Sequence, residues 1–204
     1  MNRPAVRDVL LMITGVLFMG ISLAFVRRAG YGTDTCSFLT ASLSARLGLS
    51  FGLIMVMTHF ILFIAQLAFG RDLIGIGTVF NMVLVGPVSD LTDFTVVSRL
   101  PQAIFTSQPH RSVIFIISLS CFLVSCALYM NSGTGQAPFD AAATLISRSA
   151  HLPYFIVRIL WDGLTIALGI IVGGRVTAGT VIIALTLGPI VSFIGRMLSG
   201  HLTD

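Results

Sequence analysis

The sequence predicts an all-α integral membrane protein, a polytopic bundle of about six transmembrane helices with two short half-helices, built from an internal, inverted repeat. Three observations carry that expectation. Of 204 residues, 55% are apolar and only 10% charged, against about 25% charged in soluble domains. Six apolar runs are each long enough to cross a bilayer. The two halves of the chain echo one another at a spacing of about 103 residues.

The composition leaves too little polar surface to wrap a water-exposed globule. That excludes disorder, a coiled coil and an ordinary soluble domain. All twelve basic residues are Arg and all eight acids are Asp. The net charge of +4 does not point to nucleic acid. The arginines stand singly or in one pair between apolar runs, as membrane flanks do, and no basic patch interleaved with aromatics exists. Cys36, Cys121 and Cys126 are odd in number, and the last two lie on different faces of one apolar run. They read as small packing residues rather than a disulfide framework.

The apolar runs cover about 9–26, 50–69, 73–89, 112–130, 154–173 and 176–195, each 17–20 residues. As helices they match about 30 Å of hydrocarbon. The first run begins basic, with Arg3 and Arg7, as a signal peptide does. Its apolar stretch is too long for one and ends at Arg27-Arg28 without a small-residue cleavage site, so it is read as a retained span. The alternating ten-residue segments of a β-barrel are absent. Segments 33–47 and 136–150 are rich in Ala, Ser, Thr and Leu and follow Gly30-Tyr-Gly32 and Gly133-Thr-Gly135. They are too short to cross and are expected to lie on the interface or to re-enter as half-helices. Segment 90–111, with Pro101 and Pro109, is the one long exposed loop expected. The chain is read as a single membrane domain with halves at about 9–91 and 112–195.

The repeat rests on an ordered series. Gly30 and Gly32 pair with Gly133 and Gly135, Ser22 and Ala24 with Ser125 and Ala127, Gly70 with Gly173, and GTVFNMVLVGP at 77–87 with GTVIIALTLGP at 179–189. Each half then holds span, short helix, span, span. If the short helices stop inside the bilayer, each half crosses three times and the second is inverted; if they cross, the halves are parallel. The lack of length favours three. Five arginines fall on one side and six on the other, which gives no orientation.

Ionisable groups within a span are costly and mark candidate sites. His59, Arg158 and Asp162 qualify. His59 and Asp162 stand 103 residues apart, at equivalent depth, and are expected to approach across the pseudo-two-fold axis. Arg158 and Asp162 are spaced i,i+4 and share a helix face. Gln66, two turns beyond His59, extends a polar stripe. A neutral His beside a carboxylate exchanges protons near neutral pH, so these four residues are the candidate substrate- or proton-binding set. The opposing reading of Arg158 with Asp162 is a packed structural latch.

The second candidate feature is the pair of half-helix starts, Gly30, Gly32 and Asp34 with Gly133, Gly135 and Asp140. Exposed N–H groups at a helix start favour anions, but Asp34 and Asp140 are placed to satisfy them. That leaves a cationic or zwitterionic ligand open. The third is the set Gly77, Thr78, Gly86 and Pro87 with Gly179, Thr180, Gly188 and Pro189, read as close helix packing or a helix break.

The segments GIGTVFNMVLVGPVSD at 75–90, AGTVIIALTLGP at 178–189 and GTGQAPFD at 133–140 resemble the YczE/YitT-type family of bacterial multi-pass membrane proteins. The resemblance spans about residues 10–195. It implies the multi-pass architecture and an acid a few residues into each Gly-rich segment. Asp140 fits that pattern; in the first half the equivalent position is Ser37, with Asp34 nearby.

An enzyme is not expected. Without Glu or Lys there is no His-Glu-x-x-His and no Walker A, no Gly-x-Ser-x-Gly appears, and the Cys and His residues lack metal spacing. No cofactor is expected. The sequence points to a small secondary transporter or exporter in a bacterial plasma (inner) membrane, with the lipid bilayer, a small-molecule solute and a second copy as partners. The alternative is a non-transporting scaffold or accessory protein.

Overall fold

The computed structural model describes residues 5–186 and 189. Among these there is no strand. Eight α-helices have defined bounds: α1 (Val6–Ala29), α2 (Thr35–Leu47), α3 (Phe51–Phe69), α4 (Ile76–Thr95), α5 (Ala103–Thr106), α6 (His110–Met130), α7 (Pro138–Ala150) and α8 (Tyr154–Ile171). A ninth, α9, occupies 178–186 within the described residues.

The apolar runs become helices because buried or lipid-facing backbone must satisfy its own N–H and C=O groups. α1, α3, α6 and α8 are long and apolar enough to cross a membrane. α4 has 20 residues, but Asn81, Pro87, Asp90 and Asp93 dilute its apolar character. Among the described residues four helices therefore qualify on both length and composition, against the six runs that the sequence predicts. The latter part of the sixth run, Gly188 included, lies outside the described residues; Pro189 is described and exposed. Apolar side chains cover the outer faces, with Ile61 of α3 65% and Leu160 of α8 63% exposed. A patch of that kind is stable against lipid, not water.

The 90–111 segment differs from the expected loop. α4 continues to Thr95, a 3₁₀ turn spans Val97–Arg99, and α5 follows. Val97 and Phe105 are buried against Ala24 of α1, so apolar contact orders the connection. α4 also runs through Pro87 without ending there.

α1 is the centre of the bundle and packs on α4 and α6. α1 and α6 are antiparallel. Arg111 Nε, at the start of α6, donates to the Ala29 carbonyl at the end of α1 at 2.6 Å. Near their other ends, Gly15 lies so close to α6 that a β-carbon there would stand 2.8 Å from the Tyr129 nitrogen. The short helices cross between halves: α2 packs on α8, and α7 on α3. At 13 residues each, they reach about 20 Å, short of a bilayer.

Helix bounds recur along the chain. α2 and α7 begin at Thr35 and Pro138 and end at Leu47 and Ala150, while α3 and α8 begin at Phe51 and Tyr154. Left-handed backbone recurs at the same spacing, at Gly30 and Gly133, at Gly32 and Gly135, and at Gly48 and His151.

Candidate functional site

The Gly-rich segments of the two halves each pack on the other half. Gly32 (φ +136°) lies where a β-carbon would stand 2.4 Å from the Thr180 nitrogen, and Gly135 (φ +116°) where one would stand 2.5 Å from the Gly75 nitrogen. Only Gly tolerates both the backbone angle and the approach. Hydrogen bonds complete the exchange. Gly77 N–H donates to the Thr134 carbonyl at 2.9 Å, and Thr177 Oγ1 donates to the Tyr31 carbonyl at 2.6 Å. The Gly77-Thr78 and Gly179-Thr180 pairs are thus the docking surfaces for the opposite half's Gly-rich turn. Gly86 serves close packing instead, with a β-carbon there 2.9 Å from the Gly52 Cα of α3.

These turns deliver α2 and α7 to the middle of the bundle. Asp34 caps α2 as its composition predicts, accepting from Ser37 N–H at 3.1 Å through Oδ2. Its Oδ1 is buried and receives no hydrogen bond. Asp140 behaves differently from the expected cap. Ala137 holds the cap position of α7, and Asp140 Oδ1 takes Arg158 Nη1 at 2.6 Å.

Arg158 and Asp162 pair as their i,i+4 spacing predicts, Nε to Oδ2 at 2.9 Å. The other Asp162 oxygen accepts from Thr35 Oγ1 of α2 at 2.6 Å. One guanidinium therefore joins two carboxylates, and a hydroxyl from the opposite half completes the set. Its carbon also lies 5.6 Å from the Phe139 ring centre, within cation–π range.

The expected His59–Asp162 meeting does not form: no hydrogen bond or ion pair joins them. Both Asp162 oxygens are engaged by Arg158 and Thr35. His59, 4% exposed, sits with Nδ1 2.9 Å from the Met55 carbonyl and Nε2 4.0 Å from Cys36 Sγ. Gln66 belongs to neither group. Its amide nitrogen donates to the carbonyls of Leu73 and Gln136, tying the end of α3 to the α7 turn.

A cavity of about 70 Å³ lies where these elements meet. Asp34 at the cap of α2, Cys36 and Ser37 within α2, His59 of α3, Tyr129 of α6, Phe139 and Asp140 of α7, and Arg158 of α8 line it. Asp162, paired with Arg158, is not part of the lining. Asp34, Cys36 and Asp140 share one cavity because each sits within two residues of the start of a short helix. Sequence spacing gave no sign of Cys36 or Cys126 in the lining.

Two wider openings flank the cavity. One, of about 550 Å³, includes Arg27, Gly30, Arg46 and Arg175. The other, of about 750 Å³, includes Asp8, Arg71, Asp72 and Gly133. Asp8 and Arg27 lie near opposite ends of α1, roughly 28 Å apart at 1.5 Å per residue. The cavity residues Met19 and Leu23 of α1 fall between them. Arg27, in the lining of the arginine-rich opening, pairs with Asp90 at 3.2 Å.

No solved structure matches the chain. An uncharacterized protein of Haemophilus influenzae is 23% identical over 190 residues, covering 92% of this chain and 83% of its own length. Neither this relative nor the matching family model carries the YczE/YitT name that the motifs suggested. The model, described as a family of unknown function, DUF6198, matches residues 6–196, and the chain belongs to that family.

Proposed function

We propose that the protein is a small secondary transporter or exporter of a bacterial inner membrane, made of two inverted halves with a central polar site between them. The observation that carries this reading is the central cavity lined by Asp34, Asp140, Arg158 and His59, with a wider opening toward each end of α1. A solute site that opens alternately to two sides needs that arrangement.

The direction of the helices supports the inverted arrangement. α1 and α6 are the first helices of their halves and run antiparallel, as a half-turn about an axis in the membrane plane requires. The reciprocal docking of Gly32 on Thr180 and Gly135 on Gly75 fits the same axis. In this reading six segments cross and α2 and α7 are half-helices. The chain performs no bond chemistry and carries no cofactor.

The native thiols provide the test. Cys36 and Cys126 line the cavity and are buried. In a Cys121→Ser background, a membrane-impermeant methanethiosulfonate is applied to intact cells and, separately, to inverted membrane vesicles. Alternating access predicts labelling of Cys36 or Cys126 from each face. Thiols that react only after denaturation would overturn the transporter reading in favour of a closed scaffold.

A further inference from the structure

The central cavity also carries information about the charge and size of what it holds. We infer that it binds a small organic cation of the ammonium or guanidinium class, with Asp34 as the principal counter-charge; this rests on the transporter reading above but is tested separately from it.

The charges around the cavity do not balance. Arg158 is the single cation in the lining, and it is already engaged by Asp140 and by Asp162. Asp34 lies in the same lining, and the hydrogen bonds to its carboxylate come from Ser37 alone, whose backbone N–H donates to Oδ2 at 3.1 Å. Its Oδ1 is buried and receives nothing. A buried carboxylate oxygen without a donor is costly, and a cationic N–H donor relieves that cost.

The two halves differ at this point: at the 103-residue offset Asp34 corresponds to Ala137, and Asp140 to Ser37. In the second half, Arg158 answers Asp140. At the position 103 residues earlier stands Met55, which is uncharged and lines the cavity. The first half therefore supplies a carboxylate without its own cation.

The remaining lining suits a cation of organic type. Phe122, Tyr129 and Phe139 line the same space, and aromatic rings attract ammonium and guanidinium groups. The chain already holds one guanidinium in this setting, that of Arg158 between two carboxylates and near Phe139. A metal ion is the poorer match: among the described residues no three His, Cys, Asp or Glu side chains converge closely enough to hold one. Size narrows the class further. The cavity of about 70 Å³ is under half of the roughly 150 Å³ that accommodates benzene. It admits guanidinium or methylammonium but not a tetraalkylammonium.

The test uses the full chain in detergent. Trp161, the single tryptophan, packs 5.6 Å from Phe139 and reports on the site by fluorescence. Guanidinium and methylammonium at millimolar concentration are titrated, with tetraethylammonium as the oversized cation and acetate as the anion. The expected result is a saturable response to one or both small cations and none to the other probes. Asp34→Asn should weaken it about tenfold or more. Asn caps a helix as well as Asp does, so α2 is preserved; Asp34→Glu, which keeps the charge, should retain a measurable part of the response. No saturable response to either small cation, equal binding in Asp34→Asn, or a response to acetate would overturn the proposal. Cation binding with thiols that stay closed from both faces would leave this site standing and fell the transporter reading. Alternating thiol access with binding of acetate alone would do the reverse.

Discussion

Arg158 Nη1 donates to Asp140 Oδ1 at 2.6 Å while its Nε donates to Asp162 Oδ2 at 2.9 Å, so one planar side chain fastens the first turn of α7 to the middle of α8. The fork of the guanidinium makes this possible; an ammonium has no second arm at a fixed angle. Arg158→Leu leaves two carboxylates close together with no cation. Breaking a buried pair in this way costs about 3–5 kcal/mol. Thermal unfolding in detergent should show a large loss for Arg158→Leu and a smaller one for Arg158→Lys. Equal stability of all three proteins would refute the fastening role.

Asp162 and Asp34 should separate under the same substitution. Both Asp162 oxygens are occupied, one by Arg158 and one by Thr35 Oγ1 at 2.6 Å. Asp162→Asn therefore acts on stability, and Thr35→Val should lower stability by about 1–3 kcal/mol because Asp162 Oδ1 loses its donor. Asp34→Asn should leave the unfolding temperature nearly unchanged while reducing solute flux in proteoliposomes. The reverse pattern would place the working carboxylate on α8.

The Gly-rich turns predict a graded series. Gly48 has φ +68° with open space beside it, so Gly48→Ala should cost only about 1 kcal/mol, the ordinary price of left-handed backbone. Gly135→Ala adds a collision with Gly75 to the same kind of strain and should cost about 3 kcal/mol or fail to assemble. Monodisperse yield after size-exclusion chromatography ranks the two.

Asp72 and Arg148 offer a control outside the spans. Arg148 Nη1 donates to Asp72 Oδ2 at 2.6 Å, and that hydrogen bond holds the Asp72 carboxyl below its usual range. The folded value is depressed. The contribution is therefore complete above the ordinary carboxylate range and disappears as pH falls through the lowered value. Both side chains are more than half exposed, where solvent screens the pair. Arg148→Gln should leave the unfolding temperature at neutral pH unchanged within error, in low or high salt.

Much of this architecture was legible in the chain. The run at 154–173 became α8 at Tyr154–Ile171, and the segment at 136–150 became α7 at Pro138–Ala150, because apolar length and Gly boundaries are local signals. The Arg158–Asp162 pair was legible for the same reason, being one helical turn apart. Asp140 as a partner of Arg158 was not, since 18 residues and a helix-to-helix turn separate them. Thr35 and Asp162 lie 127 residues apart, and nothing in either segment names the other. The 103-residue spacing brings His59 to Asp162 only if equivalent positions converge on the axis. In the folded chain Thr35 and Arg158 claim both Asp162 oxygens first.

The exchange of Gly-rich turns bears on how the chain is made. The first turn, at Gly30–Gly32, meets its partners only when residues 177–180 have left the ribosome, nearly 150 residues later. The second turn docks at once on a surface that the first half has already presented. The N-terminal half therefore forms with its Gly-rich turn undocked, and a segment translated nearly 150 residues later locks that turn in place. A gene cut between α4 and α6 should yield two fragments that accumulate only when produced together.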